Sequence, residues 1–166
     1  MEIIYGEHPP NYKAIAKTFK ISGRTNIVYT YGNKLYVPGG DRISLDPHLM
    51  IHEETHVAQQ AEIGVKEWWK KYLADPDFRF IQEVEAYRNQ YSSMGVLPLK
   101  QRFAYLDHIA TDLSGPMYGD MLSKENAVRV ITDGIILKPA GDKPRRRDTA
   151  RKLKKRQRQN RKKGRR

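Results

Sequence analysis

Two histidines four residues apart, His52 and His56, bracket the run His52-Glu53-Glu54-Thr55-His56. On a helix this spacing puts both imidazoles on one face, one turn apart. There they can share one metal ion, and the glutamate beside the first histidine, Glu53, can take a proton from water that the metal activates. The expected chemistry is hydrolysis of an amide bond, with Zn2+ as the ion and Glu53 as the catalytic base.

A hydrolytic zinc site takes three protein ligands and leaves a fourth position open. His52 and His56 supply two. No third histidine follows closely: position 62 holds Glu62, and Gln59 stands where a turn-permitting glycine would be needed. Glu62 is one alternative. The later stretch Phe80-Ile81-Gln82-Glu83-Val84-Glu85-Ala86-Tyr87 offers two more acids. At about 100° per residue, Phe80, Val84, Tyr87 and Tyr91 share a face, with Glu83 roughly 60° from its centre and Glu85 roughly 140° away. A ligand must point into the body, so Glu83 is the expected third ligand and Glu85 its competitor.

Together, His52-Glu53-Glu54-Thr55-His56 and Glu83-Val84-Glu85-Ala86-Tyr87 resemble the gluzincin metallopeptidases, in particular small single-domain phage and bacterial proteins of that kind. The segment from His52 to Gln59 is similar to their His-Glu-x-x-His-x-x-Gln pattern. The resemblance implies a zincin-like body and a glutamate ligand on a later helix. It also marks a departure: Tyr87 stands where the family often has the aspartate that orients the first histidine.

The elements that must position these residues are readable in order. Residues 2–5 read as a short strand and 11–20 as a helix. Asn26 to Tyr31 and Leu35 to Val37, joined through Gly32-Asn33, read as a β-hairpin. Residues 42–45 add a short strand. Asp46 and Pro47 are a cap and a first helical position, so an amphipathic helix runs from about 47 to 62 and stops near Gly64. Further helices are expected over about 66–74, 76–92, 99–113 and from Ser123 to about 132, with Ile135-Ile136-Leu137 packing onto the body. Trp68 and Trp69 read as core, and Tyr29, Tyr31 and Tyr36 as a sheet face. The expected fold is α+β: a small antiparallel β element, then a mostly helical zincin-like body over 1–138, then a disordered basic linker and tail over 139–166.

Charge is divided along the same boundary. The chain carries +12 overall, but residues 143–166 hold 15 Lys/Arg against one acid, Asp148, leaving the first 142 residues at −2. So many cations with one large apolar residue, Leu153, cannot build a core. They suit phosphate neutralisation on DNA or RNA without sequence preference. The residues expected to carry it are Arg145, Arg146, Arg147, Arg151, Lys152, Lys154, Lys155 and Arg156. The absence of cysteine excludes disulfides, thiolate-bound zinc and thiol catalysis. The acidic start and the lack of a long apolar run point away from a signal peptide or a membrane span. A cytoplasmic protein is expected, of a bacterial or phage-infected cell, with association with a virion as the variant.

These features converge on a zinc metallopeptidase acting on peptide or protein substrates, laid along an edge strand. His108, Tyr105 and Tyr118 are the candidates for the oxyanion donor. Two other classes fit parts of the pattern. One is a non-enzymatic basic nucleic-acid-associated or phage structural protein with a vestigial or structural metal site. The other is a zinc hydrolase of non-peptide amides.

Overall fold

A computed structural model of the chain describes residues 1–21, 23, 26–42 and 44–133. The run Ile135-Ile136-Leu137, the boundary expected at 138 and the basic tail lie outside the described residues. In order, the elements are β1 (Glu2–Tyr5), α1 (Tyr12–Phe19), β2 (Tyr29–Tyr31), β3 (Lys34–Val37), α2 (Pro47–Ile63), α3 (Val65–Ala74), α4 (Pro76–Ser93), α5 (Leu99–Leu113) and α6 (Lys124–Thr132). The architecture is α+β with a mostly helical body.

β2 and β3 form the expected antiparallel hairpin, with Tyr29 opposite Tyr36 and Tyr31 opposite Lys34. Gly32, at φ +60°, supplies the positive dihedral that so short a turn needs. β1 departs from the expectation of an antiparallel element. It pairs in parallel with β3, from Glu2 opposite Lys34 to Tyr5 opposite Val37, so the sheet is mixed, in the order β1-β3-β2. The intervening helix α1 provides the crossover length that parallel pairing requires. The strand expected over 42–45 does not form among the described residues. Gly40–Arg42 is a 3₁₀ turn, and Ser44 and Leu45 lie outside any strand. Gly40 turns the chain at φ +72°, and the cap of α2 follows too soon for a strand.

Each helix that carries the site is punctuated by its own sequence. The Asp46 side chain accepts from the amide of His48, with Pro47 in the first turn, and Gly64, at φ +87°, ends α2 and opens α3 at once. The Asp75 side chain accepts from the amides of Asp77 and Phe78 and starts α4. α2 packs most extensively on α4. Two apolar cores flank that seam. One joins Tyr91, Met94, Ile109, Leu113 and Ile131 of α4, α5, α6 and the turn between α4 and α5. The other joins Ile15, Tyr29, Tyr36, Trp68 and Tyr72 of α1, the sheet and α3. Trp68 and Trp69 are core residues, as expected.

The inward face of α2 differs from the amphipathic expectation. Its buried residues are His52, Glu53, Thr55, His56, Gln59 and Gln60, all polar. Burying such groups costs free energy unless they are hydrogen-bonded, and each has a partner, within α2 or on β2, the turn after it or α4. At roughly 1.5–3 kcal/mol per large buried apolar side chain, the two flanking cores supply the stability that α2 does not. No helix among the described residues is long and apolar enough to cross a membrane.

Candidate metal centre

Three side chains from two helices converge at the seam. His52 and His56 come from successive turns of α2, and Glu83 comes from the facing stripe of α4. The Nε2 atoms of the histidines lie 3.1 Å apart. Glu83 Oε2 is 3.4 Å from Nε2 of His52, and Glu83 Oε1 is 3.4 Å from Nε2 of His56. Ligand atoms held at about 2.0–2.1 Å from a tetrahedral zinc stand about 3.3 Å from one another, so this triangle has the size of one tetrahedral face. Glu83 Oε2 has no hydrogen-bond partner although it is fully buried. A buried carboxylate whose two oxygens each face an imidazole nitrogen at 3.4 Å is a setting that a cation can occupy. The donor set fits zinc.

The competing acids are placed elsewhere. Glu62 is exposed on α2. Glu85 is exposed on α4, and its Oε2 accepts from the Gln59 amide at 2.9 Å. The inward stripe of α4 is centred on Glu83, Ala86, Tyr87 and Gln90, and Phe80 and Val84 stand on its shoulder. Of the three acids weighed from sequence, Glu83 is the one that lies beside the two histidines, and the inward face of α4 is rotated from the Phe80 and Val84 side expected for it.

Each of the three side chains has a second partner that fixes it. Gln59 Nε2 donates to the carbonyl of Gln82 and to Glu85, so its Oε1 must face His56 Nδ1, 2.8 Å away. Gln90 Nε2 points at the Tyr105 hydroxyl, and its Oε1 lies 3.1 Å from His52 Nδ1. Both imidazoles therefore carry their neutral-state proton on Nδ1 and present a lone pair on Nε2, the tautomer a metal needs. The tyrosine noted in place of an orienting acid, Tyr87, packs its ring edge-on against His52 at 4.5 Å and turns its hydroxyl to Tyr118. Gln90, one turn further along α4, does the orienting instead. The Tyr72 hydroxyl donates to Glu83 Oε1.

Glu53 is buried, and its Oε2 accepts a 2.6 Å hydrogen bond from Thr30 of β2. Gln60 ties the same helix to the same strand by accepting from the Gly32 amide and donating to the Thr30 carbonyl. The Thr30 carbonyl of β2 and the Gly32 amide of the turn that follows it are therefore both engaged by α2.

The three side chains are electrically coupled. Burial alone would push the Glu83 carboxyl up, but the charges and hydrogen bonds of His56 and His52 hold it well below the usual carboxylate range. Burial alone would lower His56, but the charge and hydrogen bond of Glu83, helped by Glu53, raise it to about 9. Burial, reinforced by the charge of Glu83, pushes the phenols of Tyr72, Tyr87 and Tyr118 well above their ordinary value, so they remain donors.

Two cavities meet at His52 and Glu53. A cleft of about 700 Å³ runs past Leu49, Tyr105, His108 and Asp112. A recess of about 80 Å³ runs back between α1, β2 and α3. Of the three oxyanion candidates, all line the cleft, but only Tyr118 lines the recess as well. His108 is exposed beside Asp112, 3.6 Å away. The tail residues expected to bind nucleic acid, Arg145 to Arg156, lie outside the described residues. Gln90, Tyr72 and Thr30 were missed from sequence. Gln90 follows Glu83 by seven residues, two turns on one face, a polar spacing that was there to find. Thr30 reaches Glu53 across 23 residues and leaves no local signal. No protein-family model, curated protein or solved structure matches the chain.

Proposed function

We propose that the chain is a zinc-dependent peptidase of gluzincin type whose basic tail attaches it to nucleic acid. The observation that carries this reading is the donor triangle with Glu53 beside it. Structural zinc sites close with four protein ligands, whereas hydrolytic ones keep a position free. Among the described residues only His52, His56 and Glu83 converge, and Glu53 is held back by Thr30.

A zinc ion bound there would supply Lewis acidity towards the scissile carbonyl and the attacking water. His52, His56 and Glu83 would hold the ion, and Gln90 and Gln59 keep the two imidazoles in the tautomer that leaves Nε2 free to bind it. Glu53 takes the proton from the attacking water as the C–O bond forms, then hands it to the departing amine as the C–N bond breaks. The Tyr118 hydroxyl, kept protonated by burial, donates to the developing oxyanion from the turn above the cleft.

Zinc content and turnover of an unfolded protein such as casein, measured on wild type and Glu53→Gln, test the reading. Wild type binds one zinc per chain and cleaves the substrate. Glu53→Gln keeps the zinc and loses about 10²–10⁴-fold in rate. Zinc without turnover in wild type favours the non-enzymatic reading. Cleavage that survives Glu53→Gln removes Glu53 from the mechanism.

A further inference from the structure

The outer side of α4 carries a stripe that the metal centre does not use. Asp77, Ile81, Val84 and Arg88 recur at i, i+4, i+7 and i+11, so they share one face. At about 100° per residue that face is centred roughly 130° around the helix from Glu83. Ile81 is 62% exposed in the middle of the helix. Together with Phe80 and with Val130 of α6, Ile81, Val84 and Arg88 line a groove of about 470 Å³. Read along α4, the stripe is an acid, two aliphatic side chains and a base.

The described chain stops beside this groove. Arg88 Nε donates to the Val130 carbonyl at 2.6 Å, and Arg88 Nη2 lies 3.6 Å from the Asp133 carboxylate. The sequence continues Asp133-Gly134-Ile135-Ile136-Leu137-Lys138-Pro139, again an acid, aliphatic side chains and a base. We propose that residues 134–138 dock in the groove antiparallel to α4, with Ile135 against Val84, Leu137 against Ile81 and Lys138 beside Asp77.

Three observations carry this. The first is charge. Two stripes of the same order, laid in opposite directions, set each charge against its opposite, and one of the two pairs, Arg88 with Asp133, is already formed. The second is length. Asp77 and Arg88 are eleven residues apart, about 16.5 Å at 1.5 Å per residue of helix. The five residues from Asp133 to Lys138 reach about 16–18 Å when extended, and a residue before proline, as Lys138 is, favours that conformation. The third is pattern. Ile135 and Leu137, two apart, fall on one side of an extended segment, as Ile81 and Val84 fall on one side of the helix. The basic run beyond has Leu153 as its one large apolar residue and offers the groove little else. Docked in this way, the basic segment starts from the face of α4 turned away from Glu83. The docking does not depend on what the metal centre does.

The chain has no cysteine, so an added pair reports on one contact. The test oxidises the full chain carrying Ile81→Cys and Leu137→Cys, beside a control carrying Leu137→Cys and Lys13→Cys, the latter on the exposed side of α1. Intact mass and peptide mapping read the product. The expected result is an intrachain disulfide that forms at least about 10-fold faster in the first pair than in the control. Ile81→Lys on the full chain then separates a filled groove from a bare one. On a bare helix the new lysine gains Asp77 and Glu85 one turn to either side, so the thermal midpoint should hold or rise. In a filled groove the midpoint should fall by at least about 3 °C. Leu137→Lys should lower it likewise, and the two changes together by less than their sum.

Equal crosslinking in the two pairs, or none in either, overturns the proposal. A midpoint that Ile81→Lys leaves unchanged or raises overturns it as well. A disulfide that joins two chains gives the groove to a second copy and also removes the proposal.

Discussion

The Gln90 carboxamide oxygen lies 3.1 Å from Nδ1 of His52, so a neutral amide orients the first histidine, one turn beyond the Tyr87 that the sequence marked as a departure. An amide oxygen fixes the tautomer without adding a second negative charge near Glu83. Replacing it tests which residue orients His52. Gln90→Leu should weaken zinc binding about 10–100-fold, as loss of such outer partners does. Tyr87→Phe should leave it nearly unchanged, because the Tyr87 hydroxyl faces Tyr118. Competition against a fluorescent chelator reads both. Equal losses in the two variants would return the orienting role to Tyr87.

Glu83 and Glu85 sit two residues apart on α4, yet one is buried between the histidines and the other is exposed and bound to Gln59. Metal analysis should therefore separate them. Glu83→Ala should abolish stoichiometric zinc. Glu85→Ala removes only an outer hydrogen bond to Gln59 and should keep the zinc, with an affinity loss of at most about 10-fold. Zinc retained in Glu83→Ala would mean that the ligand set is wrong.

The helices were legible because their boundaries are written in local residues: Asp46-Pro47, Gly64, Asp75-Pro76 and Ser123 act within a few positions of themselves. The choice of Glu83 was legible for a related reason, since helical periodicity turns spacing into direction. Three other features were not. The parallel pairing of β1 depends on where α1 returns the chain, a tertiary outcome. The polar inward face of α2 defeats a rule that equates burial with apolar residues, because its cost is met by partners on β2 and α4. Thr30 beside Glu53 is a contact between elements that no periodicity links.

The metal-free protein should lose stability as pH rises. His56 has its folded-state value raised from 6.5 to about 9 by Glu83. A raised group contributes stability that is fully present below the unfolded value and is lost as pH climbs through the folded one. The window is therefore pH 6.5 to about 9. The effect is on the order of 3 kcal/mol, counted once because the lowered Glu83 carboxyl reports the same pair. Zinc reverses the trend, since it binds the neutral imidazole and its affinity rises over the same range. Thermal midpoints of metal-free and zinc-loaded protein across pH 6–9.5 should converge at low pH and separate at high pH. A flat metal-free profile would show that His56 and Glu83 do not form this pair.

The basic segment 143–166 should account for nucleic-acid binding by itself, because the remaining 142 residues carry a net charge of −2. Binding that works by counterion release falls linearly in log K against log salt, with a slope of about −0.9 per neutralised phosphate on duplex DNA. If about six to ten of the tail's cations engage, affinity should drop about 10³–10⁵-fold between 50 and 200 mM salt. No aromatic side chain is interleaved, so stacking adds nothing and duplexes of different sequence should bind alike. Deleting 143–166 should remove binding while leaving zinc content and casein turnover unchanged, since none of the three ligands nor Glu53 lies in the deleted segment. Fluorescence anisotropy with a labelled duplex over a salt series reads the slope. Undiminished binding after the deletion would place the nucleic-acid surface on the body, against its charge.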